Sequence, residues 1–113
     1  MKTELRKFLL SCPLALLTLI VPALFGKNQI MTVIVLFCIS LLMLSIEWSS
    51  RYIIFFILVC ISGPVAESIA IYFGAWTYSS ALFIGVPAWL PFVWGNAGLY
   101  ISRLKSLVYS FKR

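Results

Sequence analysis

The sequence predicts an all-α fold that lives in a bilayer: a polytopic membrane protein, four transmembrane helices packed as one bundle. Three observations carry that prediction. Hydrophobic residues make up 63% and charged residues only 11% of the 113-residue chain, and mean hydropathy is +1.08, well beyond a soluble domain. The apolar residues gather into four runs. Nearly all basic residues fall outside those runs, at alternate boundaries. A soluble domain of this length buries only about two-thirds of its surface, so lipid must cover the rest, and the whole of 1–113 reads as a single integral membrane domain.

The runs cover residues 8–25, 30–46, 52–73 and 87–104, and the first three contain no charge except Glu67. Each reaches or nearly reaches the ~20 residues a helix needs to cross ~30 Å of hydrocarbon. The fourth holds Pro87, Pro91, Gly95 and Gly98 and closes on a basic end at Arg103 and Lys105. No backbone group can face lipid unpaired, so each crossing is expected to be helical.

Lys2, Arg6 and Lys7 precede the first run, Arg51 follows the second, and Arg103, Lys105, Lys112 and Arg113 end the fourth; Lys27 alone lies on the other side. The positive-inside rule then puts both termini in the cytoplasm and the Lys27 turn and the 74–86 loop outside, in a bacterial inner (plasma) membrane. The net charge of +6 is explained by orientation and anionic headgroups. Nucleic acid is not an expected partner, because no basic face exists outside the short tails. Lys2, Arg6 and Lys7 before an apolar stretch imitate a signal peptide, but Val21-Pro22-Ala23 is a poor cleavage site, so the segment is expected to stay as the first span. Leu9-Leu10-Ser11-Cys12 resembles a lipoprotein box with too short a hydrophobic region.

Cys12, Cys38 and Cys60 lie in three separate runs with no CxxC spacing, and the chain has no histidine. They read as small buried hydrophobes. Glu4, Glu47 and Glu67 share no ligand spacing, so neither metal nor cofactor is expected. Glu47 and Arg51, four residues apart around Trp48, are expected to pair on a helix continuing from the second span, as an interfacial anchor.

Glu67 is the informative residue. It lies about 22 Å along the third span from Tyr52, hence roughly 8 Å below the outer surface of the hydrocarbon. A carboxyl group there must be paired, protonated or beside a wet cavity. Gly63, Glu67, Ala70 and Gly74 share one helical face, and Gly95, Gly98 and Ser102 make a second small face on the fourth span. Small faces let helices approach closely in lipid, so the third and fourth spans are expected to pack antiparallel. Trp94 would then lie about 10 Å down, near Glu67, with Asn96 slightly deeper. Glu67, Trp76, Tyr78, Trp89, Trp94 and Asn96 are accordingly the candidate ligand-binding residues, an outward-facing polar pocket with aromatic walls. The same carboxyl group serves equally as helix-to-helix glue, and Trp76 and Trp89 as belt residues.

Gly74 is placed to end the third helix and Pro87 to begin the fourth. Pro91 would clash with the carbonyl of Pro87 in a regular helix, so the segment before Leu90 is expected to be irregular. The uncharged stretch 73–83 is expected to dip into the outer headgroup layer.

Glu67 followed by FGAWTYSSALFIGVPAWLPFVWGNAGLYISRL resembles a group of small uncharacterised bacterial integral-membrane proteins patterned Glu, Gly-x-Trp-x-Tyr, then Gly-x-Pro-x-Trp-x-Pro-x-x-Trp. The resemblance covers about the last 45 residues. More distantly, the segment is similar to the membrane-embedded carotenoid hydratase and lycopene cyclase families, which are longer and carry further carboxylates. In size the chain also resembles the small multidrug resistance transporters, whose acid is on the first span and whose dual insertion needs a weaker charge bias.

Two expectations follow. The first is a noncatalytic protein whose Glu67 pocket binds a membrane lipid, an isoprenoid or a partner helix, from another membrane protein or a second copy. The second is a proton-coupled transporter or isoprenoid-modifying enzyme with Glu67 as the catalytic candidate; catalysis needs a second positioned group, for which Asn96 and Tyr78 are candidates. The first is preferred.

Overall fold

The structure is a computed structural model and describes residues 2–78, 81 and 85–111. It contains four α-helices and, among the described residues, no β-strand: α1 (Lys2–Phe25), α2 (Gln29–Ser45), α3 (Ser50–Tyr72) and α4 (Leu90–Phe111). Of these, α1 and α3 are long and apolar enough to cross a membrane, while α2 is a shorter apolar helix. The expected headgroup segment 73–83 and the basic tail at 112–113 lie partly or wholly outside the described residues.

Local chemistry fixes the helix ends. The Asn28 side chain accepts from Met31 N at the start of α2, and Ser49 does the same for Tyr52 N at the start of α3. These are the short oxygen-bearing residues that satisfy orphan N–H groups. At the close of α1, the carbonyl of Phe25 accepts from the Thr32 hydroxyl at 2.7 Å and from Asn28 N at 3.0 Å. Helix α3 ends on Gly74, whose φ is +85. Ala75 N reaches Ala70 O at 3.0 Å and Gly74 N reaches Ile71 O at 2.9 Å, the paired bonds of a left-handed glycine cap.

The fourth helix starts three residues later than Pro87. Leu90 N bonds Pro87 O at 3.2 Å, so Pro91 falls in the first helical turn, where its missing N–H leaves no bond unmade. The irregular stretch expected before Leu90 is present. At the other end α4 runs past residue 104 to Phe111, and α1 begins at Lys2 rather than near residue 8.

Helix α4 organises the bundle. It packs against α1, α2 and α3, whereas α3 leans mainly on α4. Gly95 and Gly98 make the α3 contact close: a Cβ at Gly95 would meet the Phe56 ring and the Cys60 sulfur, and one at Gly98 would meet Val59 at 3.2 Å. An adjoining face of α4 presents Asn96, Leu99, Arg103 and Leu107, all buried. Their spacing of three or four residues is one helical stripe. The apolar core of Leu36, Ile39, Met43, Leu44 and Leu99 joins α2 to that stripe.

Polarity is distributed inside out. Ser11, Thr18, Thr32, Ser40, Asn96 and Arg103 are buried, while Leu24 is 69% and Leu58 60% exposed. Buried hydroxyls return to their own helices, as in Thr18 to Leu14 O at 2.9 Å and Ser40 to Leu36 O at 2.9 Å. Asn96 then ties three helices together, accepting from Ser40 at 2.7 Å and donating to Thr18 at 3.1 Å.

The expected Glu47 to Arg51 pair does not form. Helix α2 stops at Ser45 and α3 begins at Ser50, so the two residues never share the helical turn that an i, i+4 pair requires. Glu47 instead takes Lys7 from α1 and faces Arg103 of α4 at 3.6 Å. The hydrogen bond and charge of Lys7 hold the Glu47 carboxyl below its ordinary range, with the Arg103 charge adding to the effect against a partial cost of burial.

Candidate functional site

Glu67 sits on α3, one turn beyond the buried Gly63 and Pro64. Because Gly63 has no side chain, the indole of Trp94 fills the space where a Cβ would stand. From there Trp94 Nε1 donates to Glu67 Oε2. Tyr78, arriving from the chain beyond the α3 cap, donates its hydroxyl to Glu67 Oε1. Both carboxyl oxygens are therefore engaged, one by the loop that links α3 to α4 and one by α4 itself.

Burial, and secondarily the hydrogen bond and charge of Glu67, push the Tyr78 phenol up to about 12. Tyr78 thus holds its proton and acts here as a donor. Its ring meets Trp89 edge-on, with centroids 6.1 Å apart and planes at 89°. Trp89 is anchored in turn, since Nε1 donates to Gly26 O at 3.0 Å, while Ala88 N donates to the Gln29 side chain at 2.7 Å. These two bonds fasten the segment entering α4 to the turn between α1 and α2.

The result is a pocket of about 420 Å³ between α1 and α4, with Glu67, Tyr78, Trp89 and Trp94 on one side and Leu19, Pro22 and Ala23 of α1 on the other. Two neighbours extend it. Toward the α1–α2 turn, a cavity shares Pro22, Ala23, Tyr78 and Trp89 and ends at Lys27 and Asn28. Toward the middle of the bundle, a cavity of about 270 Å³ shares Thr18, Leu19 and Ala97 and ends at Cys12 and Tyr100. Side by side along α1 and α4 they make an open lane, polar at the Lys27 end, with one carboxyl group in the wall of the middle cavity, and apolar at the Cys12 end.

Of the six candidate residues, the fold brings four together: Glu67, Tyr78, Trp89 and Trp94. Trp76 is 45% exposed and does not line the pocket. Asn96 is fully buried in the α1–α2–α4 core. Two residues along a helix amount to a rotation of about 200°, so Trp94 and Asn96 share a depth but face opposite ways. Asn96 reaches the site through its hydrogen bond to Thr18, which lines it.

Arg103 departs furthest from the place its sequence position suggests. Expected at a basic helix end, it is 2% exposed, stacks on the Tyr52 ring with Cζ 4.3 Å from the centroid, and leaves Nη1 without a hydrogen-bond partner. The signal was its place on the Asn96, Leu99, Arg103, Leu107 stripe. Among the described residues, no cluster of three or more His, Cys, Asp or Glu side chains could hold a metal ion. No known protein family, curated protein or solved structure matches the chain.

Proposed function

We propose that this chain is a multi-pass protein of the bacterial inner membrane, with four helices crossing and both termini cytoplasmic, and that its Glu67 pocket holds the tail of a lipid or isoprenoid without transforming it. The inside-out polarity supports the membrane part. Helices in hydrocarbon associate through small and hydrogen-bonding residues, which is the role of Thr18, Ser40 and Asn96. The bias of eight basic residues against Lys27 supports the orientation.

The observation that carries the ligand reading is the lane itself, in which a doubly hydrogen-bonded carboxyl group stands beside an open apolar groove of small-molecule size. A single turn of helix with side chains occupies roughly 400 Å³, from a diameter of ~10 Å and a pitch of 5.4 Å. A partner helix would therefore place little more than one turn in the main pocket, whereas a linear chain can follow the lane from the main pocket into the cavity at Cys12 and Tyr100. The likeness to carotenoid-modifying membrane families favours an isoprenoid among such chains. Binding is preferred to catalysis or proton transport because the two groups on Glu67, Trp94 and Tyr78, are both donors, and Tyr78 keeps its proton to about 12 and is a poor base at neutral pH.

Mass spectrometry of lipids co-purified with the full chain tests this reading. The wild type is expected to carry a long-chain lipid or isoprenoid that Ala97→Trp, narrowing the lane where the main pocket meets the inner cavity, excludes. Identical cargo in both proteins would overturn the ligand reading. Reporter fusions at each terminus test the topology, and an externally accessible terminus would overturn it.

A further inference from the structure

A second pocket, of about 490 Å³, opens between α3 and α4 at the opposite end of the bundle. Its lining is divided by chemistry. Arg51, Tyr52, Ser102 and Lys105 supply the polar part, and all four lie toward the end of the bundle where α3 starts. Ile54, Phe55, Leu58 and Ile101 supply an apolar wall, one or two turns further in along the two antiparallel helices.

The charges around this pocket do not balance. Glu47 is shared between Lys7 and Arg103, which leaves that trio with a positive excess. Arg103 stacks on Tyr52, so its charge stands behind a wall of the pocket. Arg51 and Lys105 line the pocket from different helices; Lys105 Nζ stands 5.7 Å from the Tyr109 ring centroid, and among the described residues neither cation joins an ion pair. The positive end of the α3 backbone dipole adds to the same potential.

We propose that this pocket is a binding site for an anionic phospholipid, its phosphate held between Arg51 and Lys105 with the Ser102 hydroxyl within the same rim, and one acyl chain lying on Phe55, Leu58 and Ile101. Basic pockets between membrane helices, with an apolar surface directly beneath, have the chemistry that anionic headgroups recognise. The site shares no lining residue with the Glu67 lane and does not depend on the reading of that lane.

The test is native mass spectrometry of the full chain in neutral detergent, titrated with phosphatidylglycerol or phosphatidylcholine. Wild type is expected to retain phosphatidylglycerol in preference. Arg51→Gln with Lys105→Gln is expected to lower its retention by about thirtyfold, since each cation contributes about fivefold near an anionic headgroup. Lys2→Gln with Arg6→Gln removes the same charge from α1 and is expected to leave retention close to wild type. Leu58→Trp keeps every charge and obstructs the apolar wall, and is expected to weaken retention as well. Equal loss in the two charge pairs would reduce the site to general surface electrostatics. Full competition by inorganic phosphate, with Leu58→Trp silent, would reduce it to an anion contact without a lipid chain. Either result overturns the proposal. Arg51, Lys105 and Leu58 are all exposed, so the variants keep the packed core intact.

Discussion

The indole of Trp94 occupies the space that a side chain at Gly63 would need, and from that position its N–H reaches Glu67 one turn further along α3. The glycine, the tryptophan and the carboxyl group are one unit: removing the side chain from α3 is what lets α4 approach closely enough to hydrogen-bond the acid.

Gly63→Ala should therefore disturb both packing and the site. The new methyl would overlap rigid indole ring atoms, an overpacking that costs about 1–3 kcal/mol. Gly74→Ala is the comparison, because a Cβ there meets no neighbour within 4 Å but inherits a φ of +85, at a cost of about 1–2 kcal/mol for the left-handed conformation. Thermal unfolding followed by circular dichroism measures both losses. Only Gly63→Ala should also alter tryptophan fluorescence, and an unchanged spectrum would break the link between Gly63 and Trp94.

Asn96→Leu should cost about 1–2 kcal/mol, measured by reversible unfolding in mixed micelles. It removes two interhelical hydrogen bonds, each worth about 0.6 kcal/mol among membrane helices. The loss stays modest because Ser40 and Thr18 still donate to Leu36 O and Leu14 O, so no buried donor is orphaned. A loss above about 4 kcal/mol would mean that Asn96 holds more than these two bonds.

Depth along the chain was legible from the sequence, and direction around each helix was less so. Counting residues along α3 and α4 brought Glu67 and Trp94 to one level, and the small residues Gly63, Gly95 and Gly98 identified the face on which the helices meet. The same count put Asn96 in the pocket, because axial rise alone ignores the rotation that turns it toward α1 and α2. Tyr78 was recognisable as a donor, but its arrival at Glu67 depends on the glycine-capped turn at Gly74 and on Trp89 being fastened to Gly26. Arg103 was hidden by a sound general expectation, that a cation near a helix end reaches for water. Its stripe position overrides that expectation, with Glu47 and the Tyr52 ring replacing part of the lost hydration.

Glu47→Gln should destabilise the bundle more than Lys7→Gln does. Losing Lys7 removes a partly exposed ion pair, worth under about 1 kcal/mol. Losing the Glu47 charge also strands the buried Arg103 guanidinium, an effect of about 1–3 kcal/mol once discounted for a carboxylate that is 37% exposed. The folded-state pKa of Glu47 is lowered from its ordinary 4.5, so its contribution is present above that value and is lost as pH falls through the folded value. Acid unfolding curves should show this loss in wild type and not in Glu47→Gln. Equal acid sensitivity of the two proteins would remove Glu47 from the account.

Tyr78 gives the corresponding prediction at alkaline pH. Its phenol is raised from 10.0 to about 12, so the folded state retains a proton that the unfolded chain has released. The stabilisation is full below pH 10 and fades as pH rises through about 12. The difference in phenolate absorbance between wild type and Tyr78→Phe isolates this one titration. In Glu67→Gln the midpoint should fall only part of the way back toward 10, because burial, the larger cause, persists while the neighbouring negative charge is gone. A midpoint already at 10 in the wild type would show that Tyr78 stands in water and does not donate to Glu67, and the pocket would lose the wall that separates its carboxyl group from solvent.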